Sequence, residues 1–598
     1  MKHIATCLLF SIISPLFTSC VALAEPGVVT AAHPLAVQAG IEILEKGGNA
    51  FDAAVATSLA LGVVEPQSSG IGGGGFALIY VGKTNESRVL DFREVAPQRA
   101  TATMYQDKSG KVIPGLSING YLAVAVPGQA AGLAQLQRTY GVFSLRTLAE
   151  PAIRLARDGF PVSNLLHTRL TNGAARLRRD PAAAAIFLPE GKVPEVGQIL
   201  KQLDLAQTLT LWAESGGESF YRGETADKLA AAMADHKALI GKQDMEQYKT
   251  VWRQPLTGSY RGVPIVTAPS PSGGPILLEM LNILENYDLT VQLPQQRAHL
   301  IAQAMTHGYA DRSRFNGDPA FVPVPMVALV DKAYATAQSK TIDLAKATPS
   351  KAITPGSLLP QAIQDSFKQW EGPRKVENTS HFSIIDASGN AISLTQTVNG
   401  AFGAGVVAPG TGILLNNEMD DFASAPGVPN LFGLVGSQAN AIAPGKRPLS
   451  SMSPTILLRQ GRPWIAIGAQ GGSFITTAVL QAIVNVIDFK LPLQDALNRP
   501  RIHHQWQPDI LLVEDGYPIP VSILNQYGYR AMAGKAPKSD AFGTLNAAQV
   551  DLGLQALTKT TTKSFSGASD NRREGISKVW LGESAKNVDL NPQVPALK

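Results

Sequence analysis

One stretch limits what this chain can fold into more than any other. His381-Phe382-Ser383-Ile384-Ile385-Asp386 and Ala391-Ile392-Ser393-Leu394-Thr395-Gln396-Thr397 flank Ala387-Ser388-Gly389-Asn390. Two strand-like runs around a glycine-bearing turn predict an antiparallel hairpin. A turn centred on Ser388 pairs residues equidistant from it, which sets Thr379 opposite Thr397. Residues 354–378 upstream are rich in proline, glycine and charge, the composition of an exposed connector. A threonine heading a strand straight after a connector suits a nucleophile released by self-cleavage. A cut before it frees an α-amine of pKa about 7.7 to 8.0, a fitting base near neutral pH. Taken alone, the same residues also read as ordinary hairpin threonines, because threonine favours strands.

At the other end, Met1-Lys2-His3 precedes an apolar run through Leu8, Leu9, Phe10, Ile12 and Ile13, and Ala22-Leu23-Ala24 precedes Glu25. Charged start, apolar middle and small-residue exit predict a signal peptide over residues 1–24 and a periplasmic or secreted product. Ser11, Ser14 and Pro15 interrupt the run, so no membrane association is expected of the mature form. Both cysteines, Cys7 and Cys20, fall inside the leader, which leaves the mature chain without disulfides. Lipidation at Cys20 is the alternative, although Phe17-Thr18-Ser19 fits a leucine-led signal poorly. The formal charge of +5, from 52 Lys+Arg against 47 Asp+Glu, comes without a basic stripe of interleaved aromatics and argues against a nucleic-acid partner.

Between these ends, apolar spacing predicts a helix over Pro34 to Leu44, closed by Gly47-Gly48-Asn49 as a left-handed cap, and a second helix over Ala50 to Leu61. Gly70, Gly72 and Gly75 match a dinucleotide fingerprint, but a strand, Phe76 to Val81, follows where that fingerprint needs a helix. Phosphate-loop, zincin, nucleophile-elbow and Cys-x-x-Cys motifs are absent, so no cofactor and no metal are expected. Residues 141–346 alternate amphipathic helices with polar loops and read as mainly structural, with a helix over Ile276 to Asn286 after Pro275. Trp464 to Ile467 reads as a strand, Ala469-Gln470-Gly471-Gly472 as a tight loop and Ser473 onward as a helix start. The Gly471 and Gly472 N–H groups can then converge on a developing oxyanion. His381, His503 and His504 have no ligand spacing and read as structural.

Several segments resemble the γ-glutamyltransferase (γ-glutamyltranspeptidase) family, in family order, from about Ala32 to about Arg572. They are Gly47-Gly48-Asn49-Ala50 with Asp52-Ala53-Ala54, Glu65 to Gly75, Asp91-Phe92-Arg93-Glu94, Thr379-Ser380-His381-Phe382-Ser383, Leu415 to Phe422, Lys446 to Thr455, and Gly471-Gly472. The resemblance implies an α/β (α+β) N-terminal-nucleophile hydrolase, an αββα four-layer sandwich cut autocatalytically between Asn378 and Thr379. Its large subunit would be residues 25–378 and its small, catalytic subunit 379–598, both forming one core. The implied reaction moves the γ-glutamyl group of glutathione and related compounds to water, amino acids or peptides, through an ester on Thr379.

The resemblance also implies roles. Thr397 orients the Thr379 hydroxyl and Gly471 and Gly472 stabilise the oxyanion. Arg93 grips the substrate α-carboxylate, for which a guanidinium's planar fork is suited, and Ser450 and Ser451 hydrogen-bond the same group. Glu418 and Asp421, three apart, can point the same way on one helical turn and receive the α-ammonium, helped by Asn399. A calcium loop is discounted, because the spacing fits no EF-hand. One departure stands out: Asn430-Leu431-Phe432-Gly433 carries Phe432 where many bacterial members have a lid tyrosine, so a lid hydrogen bond to Asn399 is expected to be missing. The rival readings are a glutaryl or cephalosporin acylase on the same fold, whose substrate lacks the ammonium, and a non-catalytic γ-glutamyl-binding protein. The tail from Lys578 to Lys598 carries no assigned role.

Overall fold

The computed structural model describes residues 26–361, 379–425, 427–534, 542–554, 561–582 and 588–589. The expected leader with Cys7 and Cys20, Asn378 at the expected cut, and most of the tail lie outside the described residues.

Ser380–Asp386 and Ala391–Thr397 pair antiparallel, with Ile385 opposite Ala391 and Ser380 opposite Gln396. The register is the one a turn centred on Ser388 dictates, and it brings Thr379 beside Thr397. The hairpin sits at the middle of an eight-stranded sheet in the order Val588–Asp589, Ile576–Trp580, Gly27–Ala31, Ser380–Asp386, Ala391–Thr397, Gly74–Val81, Glu86–Asp91, Val251–Arg253. A six-stranded sheet runs Thr561–Ser569, Thr544–Leu554, Arg462–Gln470, Thr455–Arg459, Val263–Thr267, Leu256–Tyr260. Strand Gly27–Ala31 is flanked on both sides by strands from far along the chain, Ser380–Asp386 and Ile576–Trp580.

Period-two alternation assigns each hairpin side chain to a layer. Phe382, Ile384, Ile392 and Leu394 join the core beneath helices Pro34–Glu45 and Ala50–Val64. Ile385 and Ala391 face the other way, into the core shared with the second sheet. Ser393 Oγ donates to the Ile467 carbonyl at 2.9 Å, a direct bond between the two sheets. Helices Gly274–Glu285 and Phe474–Ile487 cover the far face of the second sheet. Helix, sheet, sheet and helix therefore stack in the four layers that the resemblance implies.

Helix Ala50–Val64 starts where the sequence places it. Asn49 Oδ1 accepts from the Phe51 and Asp52 N–H groups at 2.8 and 3.0 Å, and Asp52 Oδ2 accepts from the Asn49 N–H at 3.1 Å. It runs three residues past Leu61 because Val63 and Val64 find buried positions. Ala469 and Gln470 correct the sequence reading: they belong to strand Arg462–Gln470, paired with Leu545 and Thr544. Their partners lie more than seventy residues away in sequence, outside any local pattern. No helix among the described residues is long and apolar enough to cross a membrane.

His381 lies between the sheets, its ring held by Thr395 Oγ1 at 2.9 Å and Ser383 Oγ at 3.0 Å. Burial holds its pKa down to about 3. The unfolded ring takes up a proton near pH 6.5 and the native ring does not, so this contribution is intact above pH 6.5 and is lost as the pH falls toward 3. It amounts to roughly 5 kcal/mol at most. Urea midpoints of the native protein should fall more steeply between pH 7 and pH 4 than those of His381→Gln; parallel curves would contradict the assignment.

Candidate functional site

Thr379 opens strand Ser380–Asp386 on the wall of a pocket lined also by Arg312, Thr397, Asn399, Glu418, Asp421, Phe432, Leu434, Ser450, Ser451, Met452, Gly472 and Ile475. The Thr379 and Thr397 Oγ1 atoms stand 3.3 Å apart. Thr397 is fixed from behind, since its Oγ1 accepts from the Asn399 N–H at 2.8 Å. Asn399 holds a left-handed backbone at φ 71°, which turns its amide toward the Asn417 carbonyl, 2.9 Å from Nδ2. Gly73 passes so close that a Cβ there would lie 1.9 Å from the Thr397 carbonyl oxygen, which explains a glycine run against this strand. With its amide oriented to satisfy both neighbours, Gln470 donates to the Thr379 carbonyl at 2.9 Å and accepts from Arg573 Nη1 at 2.9 Å.

The acids come from a short 3-10 helix, Glu418–Asp421. Asn416 Oδ1 accepts from the Glu418 N–H at 3.0 Å and anchors its start. Three residues of such a helix make one turn, so Glu418 and Asp421 project to one side. Both form ion pairs with Arg93, Glu418 to Nη1 and Asp421 to Nη2, and Glu94 adds a third carboxylate 3.3 Å from Nη1. The resemblance assigns Arg93 and the two acids to opposite ends of a substrate; in the structure they bind one another. Arg93 is completely buried and stands behind the acids, outside the pocket lining. Burial drives the Glu418 and Asp421 carboxyls upward against the pull of Arg93, and the Glu94 carboxyl rises to about 7 by the same balance. Glu418 Oε2 is buried without a hydrogen-bond donor.

Ser450 and Ser451 form part of the opposite wall. Ser450 is pinned by its N–H to the Pro271 carbonyl at 2.8 Å, and its Oγ accepts from the Met452 N–H at 3.1 Å. Gly471 and Gly472 make the bend between strand Arg462–Gln470 and helix Phe474–Ile487, with φ of 128° and 52°. Gly472 reaches the pocket lining, whereas Gly471 stands one residue behind it.

The loop carrying Phe432 is tied down by the acids. Asp421 Oδ1 accepts from Asn430 Nδ2 at 3.2 Å and Asp420 Oδ2 accepts from the Leu431 N–H at 2.6 Å. Phe432 packs with Ile276, Tyr309, Leu434 and Trp506 over the pocket. The lid is thus apolar, and Asn399 is engaged elsewhere. His503 and His504 lie outside the pocket lining; His503 bonds Thr477 Oγ1 and Gln505 Oε1, both at 2.9 Å, and His504 bonds Thr306 Oγ1 at 3.2 Å.

Sequence reasoning missed Arg312, Leu434, Met452 and Ile475 on the pocket wall, and Gln470 and Arg573 behind Thr379. For Arg312 the reason is visible only in the fold. It belongs to helix Pro294–Phe315, whose residues from Ala298 to Arg312 are all buried, and polar side chains inside such a helix need a reason.

A family model described as gamma-glutamyltranspeptidase matches residues 36–580. The glutathione hydrolase proenzyme of Escherichia coli K12 is 43% identical over 518 residues, which cover 86% of this chain and 87% of that protein. Among solved structures, cephalosporin acylase from Bacillus halodurans aligns with a TM-score of 0.80 at 30% identity, over 95% of this chain and 99% of that one. The Helicobacter pylori gamma-glutamyltranspeptidase aligns with a TM-score of 0.54 at 40% identity, over 58% of this chain and 99% of that one. A family match across nearly the whole described chain, 43% identity to a full-length relative and a shared sandwich fold together mean that this chain belongs to the gamma-glutamyltranspeptidase family.

Proposed function

We propose that the chain is a glutathione hydrolase and γ-glutamyltransferase, exported by a leader over residues 1–24 and cut by itself between Asn378 and Thr379 into residues 25–378 and 379–598. The observation that carries the reading is the Thr379 hydroxyl, 3.3 Å from Thr397 Oγ1, in one pocket with Glu418, Asp421 and Asn399. In maturation, Thr379 Oγ1 attacks the Asn378 carbonyl, the peptide nitrogen becomes the leaving amine, and water opens the resulting ester. The freed α-amine then accepts the proton of Thr379 Oγ1 as that oxygen attacks the γ-carbonyl of the donor. The amine product leaves with a proton, and water, an amino acid or a short peptide takes the γ-glutamyl group from the ester. Gly471 and Gly472 N–H groups serve the oxyanion.

The donor's α-ammonium fits the acid side, where Glu418 Oε2 has an unfilled acceptor position. Its α-carboxylate fits the side of Ser450 and Ser451, with Arg93 shared between substrate and acids. Arg93→Lys should leave self-cleavage intact and raise the KM for a γ-glutamyl anilide by roughly tenfold or more, because one ammonium cannot replace a fork that serves two partners. Unchanged steady-state kinetics in that variant would refute the role. Release of aniline from a γ-glutamyl anilide, with and without glycylglycine, tests the reaction itself. An acylase for glutaryl amides has no use for Glu418 and Asp421, so turnover of a glutaryl anilide in preference to a γ-glutamyl anilide would reverse the reading.

A further inference from the structure

Thr379 stands at the edge of the order that its sheet supplies. The ladder between Ser380–Asp386 and Ala391–Thr397 ends at Ser380 opposite Gln396, one residue short of it. The proposed cut also removes its covalent neighbour on the amino side, which leaves the peptide group joining Thr379 to Ser380 to orient both the amine and the hydroxyl. That peptide group is gripped from the other sheet. Gln470, fully buried at the end of strand Arg462–Gln470, donates its side-chain N–H to the Thr379 carbonyl at 2.9 Å.

The direction of that amide is dictated from behind. Arg573 Nη1 and Nε lie 2.9 and 3.1 Å from the Gln470 side-chain oxygen. A guanidinium carries donors only, so the amide turns its oxygen toward Arg573 and its N–H groups toward Thr379. The reverse orientation would set donor against donor and acceptor against acceptor. The Arg573 side chain is itself buried, with a Glu65 carboxylate oxygen 3.8 Å from its Nη1. Glu65 Oε2 in turn accepts from Ser380 Oγ at 2.6 Å, which closes the network onto the residue after the nucleophile. Gln470 also runs directly into Gly471 and Gly472, so one residue joins Thr379 to the bend expected to hold the oxyanion.

We propose that Gln470, oriented by Arg573, is a positioning residue for the nucleophile: it fixes the Thr379 peptide plane, and with it the hydroxyl and the amine, at a set distance from the Gly471–Gly472 bend. The inference rests on the reading of Thr379 as nucleophile and deepens it. A displacement on the order of 1 Å at a reacting group costs about 10²-fold in rate, which sets the scale of the expected effects.

The test uses the full-length protein after self-cleavage, with turnover of γ-glutamyl anilide expressed per mature molecule as counted by intact mass. Gln470→Met keeps the length of the side chain and removes both polar contacts. It should lower kcat by roughly 10- to 100-fold with KM within about threefold, because the walls that bind the donor are untouched. Arg573→Gln should lower kcat by roughly three- to tenfold, and in the double variant it should add less than about twofold to the loss from Gln470→Met, since it acts through that residue. A packing role alone would lower stability and mature yield without moving kcat per mature molecule. An unmoved kcat in Gln470→Met, a loss carried by KM, or losses that multiply in the double variant would overturn the proposal. Gln470→Glu keeps the acceptor for Arg573 and loses the N–H; it should show the same fall in kcat and carries the test if Gln470→Met fails to mature. Wild-type protein that cuts itself but leaves γ-glutamyl anilide intact would sink the γ-glutamyl reading alone. The positioning role then stands or falls on self-cleavage, which should run roughly tenfold slower in Gln470→Met.

Discussion

Thr379→Ala is expected to leave the chain in one piece and without turnover. The hydroxyl is asked to act twice, first on the Asn378 carbonyl and then on the donor, so one substitution removes both the maturation step and the nucleophile it exposes. The loss should be roughly 10⁴-fold or more, the scale on which removal of a nucleophile acts. Thr379→Ser retains the oxygen and should still cut, more slowly, because it lacks the methyl group that limits rotation about χ1. Intact mass and gel mobility after purification are the measurements. Two fragments from Thr379→Ala, or a small fragment whose first residue is not 379 in the native protein, would rule the mechanism out.

Gly472→Val is expected to be nearly as damaging to turnover. At φ 52° the backbone of residue 472 is in a region that a β-branched side chain scarcely tolerates. The bend is held by the N–H groups of Phe474 and Ile475, which bond the Gly471 and Gly472 carbonyls at 3.0 and 3.2 Å. Valine must therefore move the peptide that faces the pocket. Loss of one oxyanion donor costs about 10²–10³ in kcat, and self-cleavage, which passes through the same kind of oxyanion, should slow in parallel. KM should change little, since the zwitterion is bound on other walls. A kcat within threefold of the wild type would show that the Gly472 N–H is not an oxyanion donor.

The parts of this architecture that were legible in the sequence are those with a short-range signature. The hairpin and its register follow from alternation and one turn, and the start of the second helix at Ala50 from the break at Gly47-Gly48-Asn49. The side-by-side projection of Glu418 and Asp421 follows from one helical turn. What escaped is long-range. Ala469 and Gln470 became strand because residues 544 and 545 lie beside them. Arg312 reaches the pocket because its helix packs against helix Gly274–Glu285, a fact of packing that no spacing rule encodes. The pairing of Arg93 with Glu418 and Asp421 joins residues more than three hundred positions apart, so sequence alone treats them as independent poles.

The placement of strand Gly27–Ala31 bears on what the proposed cut does to the molecule. That strand is hydrogen-bonded through five residue pairs to Ile576–Trp580 and through five more to Ser380–Asp386, and Val263–Thr267 extends the other sheet from Thr455–Arg459. Severing the backbone at 378 therefore alters connectivity without dividing the body. The two polypeptides that the proposed cut would leave are interleaved like the fingers of clasped hands, and parting them would strip several ladders at once and bare raw strand edges to solvent.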